Sequence, residues 1–148
     1  MFNPSRDQAR DFLFDAWRKY NAPNPNTPLT SLEAIAVDII AKHPEYHAQF
    51  ARREQFVDRD YAPERGETNP FLHISMHIAI QEQIAIDQPR GIKAAHLKLS
   101  AKLASTMEAE HQIMDCLAEM IWQAQQTNSA PSAEIYLNCI EAKLLKSA

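Results

Sequence analysis

The feature that most constrains this chain is its poverty in glycine: two residues in 148, Gly66 and Gly91. Average usage of roughly 7% would supply about ten. Tight hairpins and phosphate-cradling loops need positive φ, which glycine adopts without steric penalty. A β-barrel, a dinucleotide-binding sheet and a P-loop enzyme are therefore disfavoured together. The nine prolines do the opposite work. Proline breaks a helix interior but suits its first turn, so Pro4, Pro23, Pro25, Pro28, Pro44, Pro63, Pro70, Pro89 and Pro131 mark boundaries.

Between these marks the apolar residues recur at helical spacing. A first helix spans about residues 4–20, with Ala9, Phe12, Leu13, Ala16, Trp17 and Tyr20 on one stripe. After the connector NAPNPNTP a second opens with a capping box, Thr30 to Glu33, and presents Leu32, Ile35, Ala36, Ile39 and Ile40 for burial. It stops before Pro44, and a short helix through His47 and Phe50 follows. Residues 52–69 are charged and irregular, long for a loop in a compact domain. A third helix starts at Asn69-Pro70 and reaches Asp87, and DQPRG turns the chain into a fourth over about 92–104. Ser105 to Glu108 is a second capping box, opening a fifth helix to about Gln126. NSAPS starts the sixth. The expectation is an all-α protein, a helical bundle of five to six helices forming one domain over 1–148.

Charge and topology narrow the partners. With 15 Lys and Arg against 19 Asp and Glu, the formal charge is −4, which gives no long-range attraction to phosphate backbones or anionic lipid. Lys93, Lys98 and Lys102 read as solvated surface. No uncharged stretch reaches the roughly 18 residues of a membrane span, and Arg6, Asp7, Arg10 and Asp11 interrupt any signal-peptide core. Cys116 and Cys139 show no metal or redox spacing and do not amount to a disulfide framework, so a reducing, cytoplasmic setting is expected.

Chemistry concentrates in histidine. His73 and His77, four apart on the apolar third helix, share a face that Ile80 and Ile84 continue. Two imidazoles buried side by side need partners, and a shared cation supplies one. The zinc-protease pattern requires Glu after the first His; Ile74 stands there instead. On the fifth helix Glu108, His111, Asp115 and Glu119 fall within about 80° of arc, and Glu108-x-x-His111 has the spacing of helical carboxylate-bridged metal sites. A third group, His43-Pro44-Glu45-Tyr46-His47, straddles the end of the second helix. Only His96 stands alone.

The bland alternatives are concrete. The His pair serves as a hydrogen-bonded core feature, Glu33 and Glu108 as caps, Asp115 and Glu119 as a solvated face, and His43 as the cap of the turn at Pro44. Trp122 and Phe71 read as core. Nucleophilic catalysis has no support: Ser75 points away from both neighbouring histidines, no glycine-flanked turn presents a serine, and Asp115 and Glu119 would raise the Cys116 thiol pKa.

The segments NPFLHISMHIAIQEQ (69–83), DQPRGI (87–92) and HQIMDCLAEMIWQAQ (111–125), with the block HPEYH (43–47), resemble a bacterial family of unknown function. The resemblance covers most of the chain and implies no particular activity. Its signature residues fall here on His43, Glu45, His47, Asn69, Pro70, His73, His77, Glu82, Gln83, His111 and Glu119. The pattern is also loosely similar to hemerythrin-like bundles, from which it departs: Glu82 follows His77 by five residues, on another face.

Two functional expectations follow. The first is a divalent-metal site, iron, zinc or manganese, with His73 and His77 facing His111 and Glu119 or Asp115, completed by His47 or Glu45. The second is a non-catalytic interaction module with structural histidines, whose partner is an unidentified protein or a second copy of the chain. Imidazole nitrogens converging on one point favour the first; nitrogens turned to backbone carbonyls favour the second.

Overall fold

The computed structural model describes residues 4–62 and 65–146. Among them there are eight α-helices, one 3-10 turn and no strand: α1 (Pro4–Asn21), α2 (Ser31–Ala41), the turn Pro44–Tyr46, α3 (His47–Phe50), α4 (Arg53–Phe56), α5 (Pro70–Ile86), α6 (Ile92–Leu103), α7 (Thr106–Gln126) and α8 (Ala133–Leu145). The all-α expectation holds, but the helix count exceeds five to six. The excess lies in four-residue helices, too short to show a period. One of them, α4, falls inside the stretch read as irregular. No described helix is long and apolar enough to cross a membrane.

Backbone contacts divide the chain into two compact units, Met1–Ile78 and Ala79–Ala148, with the boundary inside α5. In the first unit α1 packs on α2. The core gathers Leu13, Ala16 and Trp17 from α1, Ala36, Val37, Ile39 and Ile40 from α2, and Phe71 and Ile74 from α5. Phe14, Phe50 and Phe71 form a ring cluster with centroids 5.4–5.5 Å apart. The buried stripe of α1 is rotated from its expected phase: Phe14 is inside, whereas Ala9 and Tyr20 are exposed. Leu32 is also exposed, displaced from the α2 core by Val37.

The Thr30–Glu33 capping box is present in both directions, at 3.2 and 2.9 Å. The Glu33 carboxylate also takes Lys19 Nζ at 2.8 Å, tying the end of α1 to the start of α2. The bond to Lys19, with help from the Thr30 backbone, holds the Glu33 pKa below the usual carboxylate value. The segment after α4 is held by side chains: Arg10 Nη1 donates to the carbonyls of Val57 and Arg59, Arg6 pairs with Asp60, and Arg53 with Asp11. Asn69 caps α5 through Phe71 N at 3.0 Å and Leu72 N at 3.1 Å, with Pro70 first in the helix as its sequence implies.

In the second unit α6, α7 and α8 pack on one another around Ile92, Leu99, Ile113, Leu117, Tyr136 and Ile140. The turn after α5 is organised by Asp87, whose carboxylate accepts from Gly91 N and Lys93 N at 3.0 and 3.1 Å. Gly91 has φ +104°, a conformation that needs glycine. Ser105 caps α7 through Glu108 N at 3.0 Å. The reciprocal half of that expected capping box is missing, and the Glu108 carboxylate turns to His111 instead. Lys102, read as solvated surface, reaches the carbonyl of Leu144 at 2.8 Å and so closes the end of α8.

A second correction concerns the cysteines. Cys116 and Cys139 form a disulfide between α7 and α8, with Cα atoms 5.6 Å apart, within the usual range for such bridges. Their separation of 23 residues gives no motif; only the pairing of the two helices brings them together. Trp122, expected in the core, is 55% exposed.

Candidate functional site

The buried stripe of α2 runs Ala36, Ile39, Ile40 and then, three residues on, His43. Pro44 ends the helix there, yet the stripe continues, and His43 is 2% exposed. Its side chain makes no cap to the turn that follows. It folds back so that Nδ1 lies 2.7 Å from the Ile39 carbonyl. A carbonyl only accepts, so Nδ1 carries the hydrogen and the neutral ring presents a lone pair at Nε2.

That lone pair meets α5. His73 Nε2 lies 3.2 Å from His43 Nε2 and 3.2 Å from His77 Nε2. His77 is fully buried and His73 half-buried. The three ring centroids stand 4.9 Å apart pairwise, and Tyr46 stacks on His43 at 5.7 Å with planes 3° apart. The sequence places His73 and His77 on one interior face, and the structure brings them together there.

Hydrogen bonding alone serves this arrangement poorly. A ring nitrogen has one in-plane position, holding either a hydrogen or a lone pair. His73 Nε2, with a second imidazole nitrogen on each side, makes an in-line hydrogen bond to only one of them. The other contact is left out of line, or sets two lone pairs against each other, in a dry place where that is costly. A cation removes the conflict, because all three nitrogens then present lone pairs to it. The spacing fits: Zn–N bonds of about 2.0–2.1 Å in a tetrahedral shell put neighbouring nitrogens roughly 3.3–3.4 Å apart. The Ile39 carbonyl supplies the outer-shell anchor that ligating histidines usually have.

The other candidates are engaged elsewhere. His47 Nε2 lies 2.8 Å from the Ile40 carbonyl and its ring packs 4.8 Å from Trp17, so that nitrogen is a donor. Glu45 is exposed on the 3-10 turn. On α7, Asp115 and Glu119 are exposed; Asp115 lies 3.6 Å from Lys143 Nζ and Glu119 accepts from Gln123 at 2.8 Å. His111 is half-buried, its Nδ1 3.4 Å from Glu108.

Two residues carry more than their sequence context suggests. His43, one of the family signature positions, reads as a cap because Pro44 follows it; the signal that finds it is the α2 stripe continuing past the helix end. Glu110 is 4% exposed and takes the Gln81 amide at 3.2 Å. It belongs to the stripe Ala109, Ile113, Met114 and Leu117, whereas the arc through Asp115 and Glu119 faces outward.

Fold and side chains together define an all-helical protein with a buried imidazole cluster able to hold a metal ion. The chain belongs to the family described as Domain of unknown function (DUF1841), whose model matches residues 5–142. Neither the curated proteins nor the solved structures contain a match.

Proposed function

We propose that this protein holds one divalent transition-metal ion through His43, His73 and His77. The observation that carries the reading is the pair of 3.2 Å Nε2 contacts around His73, with His43 locked in the tautomer that offers Nε2. The donor set shifts the choice of metal. Imidazole donors favour zinc or iron over manganese, which prefers oxygen ligands. Glu45, Asp115 and Glu119 lie outside the inner set on this reading, and His47 acts through Ile40 and Trp17.

Metal content of protein purified without a histidine tag tests the proposal. About one equivalent of zinc or iron per chain, lowered by His43→Ala and unchanged by His47→Ala, is the expected result. Metal-free protein whose melting is indifferent to chelator would leave the histidines as structural groups of a non-catalytic interaction module.

A further inference from the structure

We infer that the first unit carries a second binding site, a groove for a small carboxylate with an apolar tail, on an observation independent of the imidazole cluster. Arg10 is 3% exposed. Both of its hydrogen bonds use Nη1, to the carbonyls of Val57 at 3.0 Å and Arg59 at 2.7 Å. Its Nε is buried without a partner. Nη2 makes no hydrogen bond either and is not sealed off as Nε is, so it is the guanidinium nitrogen left for an anion. The acidic side chains that act on Arg10 electrostatically, Asp60 and Asp7, both pair with Arg6, at 2.8 and 3.3 Å. A buried guanidinium stays charged, and carbonyls with the Phe71 ring face at 4.5 Å compensate it only in part.

The space beside it has the matching shape. A cleft of about 200 Å³ runs along Arg10, Arg6, Asn69 and Ser75. A second, of about 160 Å³, is walled by Phe12, Leu13, Leu32 and Ile78. The two share Ala9 and Ser75, so one groove has a cationic end and an apolar end. Leu32 and Leu72, at 42% and 57% exposure, leave apolar surface bare at both parts. An apolar cavity of about 150 Å³ accommodates benzene, which sets the tail at roughly six carbons. The carboxylate sits at Arg10 and Ser75, and the tail lies over Leu13 toward Leu32.

Calorimetric titration of the full-length protein with hexanoate, hexanol and hexylamine tests this. Hexanoate should bind at least about tenfold more tightly than hexanol, the scale of one charge-assisted bond, with hexylamine weakest. Arg10→Met should reduce hexanoate affinity by about the same factor. Because Arg10 also braces the 57–59 backbone, Ser75→Leu provides the independent check: it fills the groove from a half-buried position and should abolish binding while helicity and melting stay near wild type. Hexanoate binding no tighter than hexanol, or folded Ser75→Leu protein binding hexanoate like the wild type, overturns the proposal.

Discussion

Individual side chains carry the account, and their roles separate by what each ring nitrogen or carboxylate touches. His43 and His47 sit four apart in one short block, yet only His43 turns Nε2 toward His73. His43→Ala should therefore lower metal retention. His47→Ala should leave metal content intact and cost about 1 kcal/mol through the lost Ile40 bond, a difference readable by elemental analysis and denaturant melts side by side. Glu33 gives a pH-dependent test. Its folded pKa lies below its unfolded value, so its contribution is present above the unfolded carboxylate range and disappears as pH falls through the folded pKa. Glu33→Gln should be about 1–2 kcal/mol less stable than wild type at pH 7, with the gap closing as the pH is lowered below about 4; a gap constant with pH would contradict the assigned ion pair. The residue scale is also where sequence reading does worst. Spacing puts His73 and His77 on one face, but it cannot say which carbonyl a histidine will seek, and it ranked the exposed carboxylates of α7 above the buried Glu110.

At the scale of elements, the helix termini were largely legible. The capping box at Thr30, the Asn69-Pro70 start and the serine cap at Ser105 all depend on contacts within three residues, and local chemistry of that kind is written directly in local sequence. Faces were less so. The expected α1 stripe is off by part of a turn because Phe14 answers to Phe50 and Phe71, residues distant in sequence, and the Trp122 face of α7 stays outside. The α7–α8 disulfide is the clearest case of an element-level feature invisible in spacing. It closes a loop of 23 residues, and constraining such a loop is worth about 3 kcal/mol. Cys139→Ala should lower stability by roughly that amount under oxidising conditions. Reductant should destabilise the wild type and leave the variant unchanged; equal melting of both proteins with and without reductant would show that no bridge forms.

For the molecule as a whole, glycine scarcity and proline placement announce the all-helical class, and the family match over residues 5–142 agrees with the breadth of the motifs that suggested it. Both glycines take positive φ, +74° at Gly66 and +104° at Gly91, so the few present are used where the backbone demands them. Binding that favours the folded state raises stability by mass action, which links the imidazole cluster to the global melting behaviour. Chelator should therefore lower the melting temperature of the wild type and leave His73→Asn unaffected. The decisive measurement is elemental analysis of untagged, full-length protein, with and without exhaustive chelation. About one zinc or iron per chain, lost together with thermal stability on chelation or on substitution of His73, is the outcome this account predicts. Protein free of metal, with melting unmoved by chelator, would contradict it.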